Sequence, residues 1–147
     1  MKPFGKKPPL ALWWLPVLLL SNGCGGIEPE CDSLDTHHSV VKIISDDSHN
    51  ALVDYAVKNS SSVAAMVSNT TTEAEKLAIW DKARRGAVYR LDDAILTNSR
   101  NRAARAVTCS GILYVTVRDT IAQKQVDFKV ERTTDGKMSV SVDPFLF

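Results

Sequence analysis

The chain has 147 residues, a length that suits one domain with one modest hydrophobic core. Its 18 Lys and Arg residues nearly balance its 17 Asp and Glu residues, which excludes the basic surface typical of a nucleic-acid-binding protein. The number of cysteines is three, so at least one of them has no disulfide partner within the chain.

The first 23 residues have the parts of an export signal. Lys2, Lys6 and Lys7 form a basic start, and an apolar run over residues 10–20 follows. That run is about half the length of ~20 residues that an apolar helix needs to cross a bilayer. We therefore predict a cleaved signal over residues 1–23. Its removal leaves 15 basic and 17 acidic residues in the mature chain.

Residues 20–24 come directly after the apolar run and resemble the bacterial lipobox, in which small residues precede a lipidated cysteine. Gly23 and Cys24 match the pattern well. Ser21 stands where the family most often has Leu, and Asn22 stands where it has Ala or Ser. The resemblance implies that Cys24 becomes the lipidated N-terminus, with several acyl chains that hold the protein at the membrane.

The resemblance to lipoproteins of Gram-negative bacteria also implies a location. Gly25 follows the cysteine, at the position where an Asp commonly retains such proteins at the inner membrane. Sorting to the outer membrane, with the domain facing the periplasm, is therefore favoured. Residues 24–30 contain few apolar side chains, so we predict a short flexible tether there.

With Cys24 assigned to lipidation, Cys31 and Cys109 are the remaining cysteines in an oxidising compartment. We expect them to form a disulfide bond. Such a bond closes a loop of roughly 79 residues, which the chain-entropy model values at about 4–5 kcal/mol. Residues 31–147 are then one globular domain.

The first part of this domain is predicted to be helical. Apolar side chains over residues 39–58 recur at steps of three and four, which indicates an amphipathic helix. A break is expected at residues 46–48, with Ser48 as the cap of the second segment. The polar stretch 59–71 is predicted to be a loop.

A further helix is indicated by its end signals. Thr72 and Glu75 form a capping box, and Gly86 is the expected end. Basic residues in the last turn complement the helix dipole. The buried stripe of this helix is predicted to consist of Leu77, Ile79 and Trp80.

After Gly86 the apolar period changes to two, which predicts four strands, over residues 87–97, 105–118, 120–132 and 137–143. Asp135 and Gly136 between the last two indicate a hairpin. The fold class is therefore α+β, with N-terminal helices packed on one face of a four-stranded antiparallel meander sheet. In element order the mature chain resembles cystatin-like and NTF2-like domains.

A metal site is one possibility near the start of the domain. Residues 31–38 hold one thiol, two carboxylates and two imidazoles, and His49 is a further candidate ligand. A thiol committed to a disulfide cannot bind a metal, and adjacent histidines rarely reach the same ion. We predict no metal and no cofactor.

Motifs of common enzymes are absent from the sequence, including the Gly-x-Ser-x-Gly elbow, the phosphate-binding glycine loop and the His-Glu-x-x-His pair. We therefore predict a protein that is not an enzyme. The alternative is an NTF2-like pocket lined by Trp80, Tyr89 and Tyr114, with a buried carboxylate at Asp92 or Asp93.

Two basic clusters and an apolar tail complete the candidate features. The clusters are Arg84 with Arg85, and Arg100 with Arg102 and Arg105. They are either solvated or in contact with anionic lipid head groups or an acidic partner. The apolar tail over residues 144–147 either covers the core or anchors a partner protein.

The favoured function is a non-enzymatic binding or accessory lipoprotein that is anchored to the membrane and recognises another envelope protein. No nucleic-acid partner is expected. One alternative is an inhibitor of a periplasmic hydrolase, which would insert the loop over residues 98–104 into an enzyme cleft. Another is a small-ligand carrier or enzyme with the NTF2-like pocket.

Overall fold

The computed structural model describes residues 26–47 and 50–143. The predicted signal, Cys24, Gly25, Ser48, His49 and the tail over residues 144–147 lie outside the described residues. Within the described part, no helix is long and apolar enough to cross a membrane. The elements of this part are α1 (Leu34–Asp46), α2 (Ala51–Asn59), α3 (Ser61–Ser68), α4 (Glu73–Arg85), β1 (Val88–Leu91), β2 (Leu96–Asn101), β3 (Ala106–Val117), β4 (Thr120–Arg132) and β5 (Met138–Val142).

The predicted helix over residues 39–58 is present as two helices, and the predicted break between them is confirmed. Helix α1 begins earlier than expected, because the Ser33 hydroxyl accepts a hydrogen bond from the backbone N–H of Thr36 at 3.2 Å. Asn50, and not the predicted Ser48, caps α2. Its side-chain oxygen accepts from the backbone N–H groups of Leu52 and Val53.

Residues 59–71 were predicted to be a loop, and that prediction is wrong because they contain helix α3. Its N-terminus is held by Asp119, which lies in the turn between β3 and β4. The Asp119 carboxylate accepts hydrogen bonds from the hydroxyls of Ser60 (2.5 Å) and Ser61 and from the backbone N–H of Ser62. These donors favour the ionised form and hold the pKa of Asp119 far below its usual value. A short helix thus depends on a residue distant in sequence.

Helix α4 confirms its predicted ends. The Thr72 hydroxyl accepts from the Glu75 N–H at 3.3 Å, and Gly86 is the C-terminal cap. The predicted buried stripe is only partly correct, because Leu77 is 64% exposed while Ile79 and Trp80 pack against the core. The reason is that α4 contacts α2 and α3, which leaves it a narrow buried face.

The sheet is antiparallel with strand order β1-β3-β4-β5, and β2 also pairs with β3. The predicted first strand over residues 87–97 is divided into two. Strand β1 pairs with residues 113–116 of β3, whereas β2 pairs with residues 106–110. The α+β fold class is confirmed. The sheet has five strands instead of the expected four, because the predicted first strand is split into β1 and β2.

The core lies between the helices and one face of the sheet. Alternate residues of β3 and β4 on this face are buried as predicted. Helix α2 packs on β3 and β4, while α1 contacts the outer strands β1 and β5, so the curled sheet brings both edges to one helix. The buried residues from the central strands are Val107, Cys109, Leu113, Val115, Val117, Ala122, Val126, Phe128 and Val130.

The predicted hairpin between β4 and β5 is confirmed. Gly136 has φ +84°, and its N–H donates to the Thr133 carbonyl at 2.9 Å. The same end of the sheet carries the turn between β2 and β3, since the Arg132 N–H donates to the Arg105 carbonyl at 2.9 Å. We call this end of the sheet, with residues 26–30, the tether end.

Candidate functional site

Cys31 and Cys109 are joined in the structure, with their Cα atoms 5.8 Å apart, in agreement with the predicted pairing. Cys109 lies on the core face of β3, between Thr97 of β2 and Phe128 of β4. Cys31, three residues before the start of α1, is thus bonded covalently to the central part of the sheet.

Residues 26–30 lie against the domain. The Arg100 guanidinium donates to the Pro29 carbonyl at 3.3 Å and lies 3.4 Å from the Glu28 carboxylate. The Thr36 hydroxyl donates to the Glu30 carbonyl at 3.0 Å, and Pro29 is buried. Gly26, the first residue that the structure describes, is two positions after Cys24 in the sequence.

Four arginines surround a cleft of about 430 Å³ beside this segment, and we call it the arginine cleft. They are Arg100, Arg102 and Arg105 from the β2–β3 hairpin and Arg132 from the end of β4. Glu28 is the one carboxylate among the lining residues that the structure describes. The cleft is therefore strongly cationic.

Local backbone geometry gathers these arginines. The Asn101 side chain accepts from the Ala104 N–H at 3.0 Å, and Arg105 has φ +48°, so the β2–β3 turn is tight. The Arg132 guanidinium donates to the Gly136 carbonyl at 3.3 Å. The chain at Gly26 passes close to Arg132, since a Cβ atom there would lie 1.4 Å from a guanidinium nitrogen of that side chain.

The predicted basic cluster of Arg84 and Arg85 lies at the end of the sheet opposite the tether end. Arg84 pairs with Asp54 at 2.7 Å, and Arg85 lines a separate cleft with Lys82 and Arg118. Arg105 and Arg118 flank β3 at opposite ends, and a strand of this length spans up to about 40 Å. Only the cluster containing Arg100, Arg102 and Arg105 lies beside residues 26–30.

The structure does not bring the candidate metal ligands into one site. Cys31 is in the disulfide, and the described residues contain no group of three or more His, Cys, Asp or Glu side chains arranged to hold a metal ion. His49 lies outside the described residues. Among those described, the Nε2 atom of His37 is buried without a hydrogen-bond partner.

The predicted aromatic pocket is wrong, because Tyr89 and Tyr114 lie on opposite faces of the sheet. Tyr89 pairs with core-facing Val115, whereas Tyr114 is on the face that has no helix among the described residues. Burial, followed by the nearby negative charges of Asp47 and Asp54, raises the pKa of Tyr89.

The two carboxylates assigned to that pocket are not enclosed either. Asp93 is exposed, and Asp92 lies at the surface, 3.9 Å from the Arg90 guanidinium. The predicted inhibitory loop over residues 98–104 is also wrong in extent, because β2 continues to Asn101. Only a short turn is left there to enter an enzyme cleft.

The helix-free face carries a patch that the sequence pattern does not predict, and we call it the outer patch. Its centre is Tyr114, with the Arg90 guanidinium 4.5 Å from the ring centroid. Val88 of β1 and Ile121 of β4 lie on either side of Thr116 of β3, in the neighbouring row of residues across the sheet. They are 65% and 66% exposed. This patch lies at the end of β3 far from the tether end.

A scan against protein-family models, a search of curated proteins and a search of solved structures each return no match for this chain. The fold, the arginine cleft and the outer patch are therefore the features on which a function is proposed.

Proposed function

We propose that this chain is a lipoprotein of the cell envelope, anchored through Cys24 in the outer membrane and facing the periplasm. The observation that supports this proposal most directly is the lipobox-like run over residues 20–24, directly after the apolar run over residues 10–20. Gly26 lies against the sheet. Two residues span at most about 7 Å, so lipid on Cys24 holds the tether end directly at the membrane surface.

The proposed role is non-enzymatic binding of another envelope protein through the outer patch. Tyr and Arg side chains are enriched among the residues that dominate protein interfaces, and here they are stacked on each other. The exposed Val88 and Ile121 add apolar area. The partner chemistry that fits is an apolar surface with a carboxylate that pairs with Arg90.

The anchor is tested by the intact mass of the protein from its membrane fraction. We expect a chain that starts at Cys24, carries the mass of two or three acyl chains, and gains two hydrogens on reduction of the Cys31–Cys109 bond. The matched variant Cys24→Ala should lose the acyl mass and leave the membrane fraction.

An unmodified mature chain, or a Cys24→Ala variant that carries the same acyl mass as the parent, contradicts the anchor. The count of thiols available to an alkylating reagent before and after reduction checks the disulfide in the same samples.

The partner surface is tested by placing a photo-crosslinking residue at Tyr114 and, as a control, at Lys129. Both positions are on the helix-free face, but Lys129 lies toward the tether end and beside polar neighbours. We expect a discrete protein adduct in intact cells from position 114 and none from position 129. Equal adducts from both positions, or none from either, contradict the role of the outer patch.

A further inference from the structure

We propose that the arginine cleft binds the phosphate head group of an anionic phospholipid in the same membrane that holds the anchor. The inference rests on the proposed lipid anchor, which supplies the source of the phosphate. It adds a second, specific contact between the domain and the membrane.

The charge balance of the cleft favours an anion. Four guanidinium groups line it against the single carboxylate of Glu28, which lies 3.4 Å from Arg100. The guanidinium groups of Arg102 and Arg105 have no ion-pair partner among residues 26–47 and 50–143. A guanidinium donates two parallel hydrogen bonds to phosphate oxygens, which is why Arg is favoured in phosphate sites.

The shape of the cleft also suits a head group. Its volume of about 430 Å³ lies within the range of small-molecule sites. Arg100 and Arg132 are each positioned by a backbone carbonyl, those of Pro29 and Gly136. Two of the cations are thus held in place, and the other two lie on the turn opposite Arg132.

The neighbouring acidic residues do not reverse this balance. Glu30 and Asp35 line an adjoining cleft that shares Arg132 with the arginine cleft. The remaining arginines lie on the β2–β3 side, where Glu28 is the one lining carboxylate that the structure describes. Positive charge is therefore concentrated on that side of the tether end.

The position of the cleft selects a lipid as the source of the phosphate. Gly26 lines the cleft, and Cys24 lies within about 7 Å of it along the chain. Acyl chains on Cys24 enter the bilayer at that point, so the cleft lies at the level of the head groups. An anionic membrane surface attracts each nearby Lys or Arg side chain. The attraction per cation corresponds to an about fivefold change in the fraction of protein that is bound to the surface.

The experiment uses the full chain, purified from membranes and reconstituted into phosphatidylcholine vesicles with or without phosphatidylglycerol. Phenylglyoxal modifies accessible guanidinium groups, and peptide masses give the rate at each arginine. We expect Arg102 and Arg105 to react about fivefold more slowly when phosphatidylglycerol is present. Arg85 and Arg118, at the far end of the sheet, should react at one rate in both vesicles.

The possible results separate this proposal from the anchor on which it rests. A chain that floats with both vesicle types but shows equal rates at Arg102 and Arg105 overturns the head-group site and leaves the anchor intact. A chain that floats with neither vesicle type is not anchored, which overturns both the anchor and the head-group site. In a third outcome, inorganic phosphate protects Arg102 and Arg105 in pure phosphatidylcholine vesicles as strongly as phosphatidylglycerol does. That result assigns the cleft to free phosphate and overturns the lipid source.

Matched variants control for folding. Arg105 and Arg118 both have positive φ, +48° and +54°, in turns that flank β3, and Asn tolerates that conformation. Because Arg100 and Arg132 line the same cleft, we expect phosphatidylglycerol to protect them too, and Arg102→Gln with Arg105→Asn should abolish that protection. The control Arg85→Gln with Arg118→Asn should retain it, and a loss in both variants contradicts the assignment.

Discussion

Replacing both Cys31 and Cys109 by serine is expected to lower the free energy of unfolding by about 4 kcal/mol. The bond joins residues that are 78 positions apart, so its removal enlarges the conformational freedom of the unfolded chain. It also leaves a hydroxyl at Cys109, which is 0% exposed on the core face of β3. Urea unfolding of the purified protein measures the change as a lower midpoint.

The control for this result is the parent protein unfolded in the presence of a reductant. Its midpoint should fall toward that of the double variant, whose own midpoint the reductant should not move. If the reductant leaves the unfolding midpoint of the parent unchanged while a thiol count confirms reduction, the bond does not stabilise the fold.

The substitution Leu113→Ala should lower the free energy of unfolding by about 3–4 kcal/mol. Leu113 is 0% exposed at the centre of β3, where it pairs with Leu91 of β1, so truncation leaves a cavity that the rigid sheet cannot close. The same substitution at Leu77, which is 64% exposed on α4, should change stability by less than about 0.5 kcal/mol.

The pair of leucines separates burial from side-chain chemistry, because both substitutions remove the same atoms. Urea unfolding of the two variants in parallel gives the comparison. Equal losses at Leu113 and Leu77 contradict the packing of α4 described above, since they require Leu77 to be enclosed as well.

The sequence predicts best those parts of the fold in which local pattern and tertiary burial agree. Strands β3 and β4 place apolar residues at most alternate positions, and every predicted core position on them is buried. Helix α4 carries its own end signals in Thr72 and Gly86. Such elements contain the information for their own boundaries.

The missed elements depend on residues that are distant in sequence. Helix α3 is stabilised by Asp119, far along the chain, while its own residues read as a polar loop. Leu77 satisfies an apolar helical pattern, yet α4 packs on other helices and leaves that position in solvent. Local periodicity cannot report which neighbour a helix finds.

The candidate site shows the same limit. The sequence gathers Arg100, Arg102 and Arg105 within one short segment, so they were identified as a cluster. Arg132 and residues 26–29 join them only because β3 pairs with β4 and because the disulfide draws the N-terminal segment onto the sheet. A cleft built from three separate segments is a property of the topology.

The disulfide also determines how mechanical load enters the domain. Tension applied through the N-terminal segment reaches Cys31 before it reaches the first turn of α1, and the bond transfers it to Cys109 in the central strand. Strand β3 is hydrogen-bonded on both sides, so the force is distributed over many backbone bonds instead of peeling α1 away turn by turn. A domain connected in this way can bear a pull on its N-terminal segment without unravelling from that end.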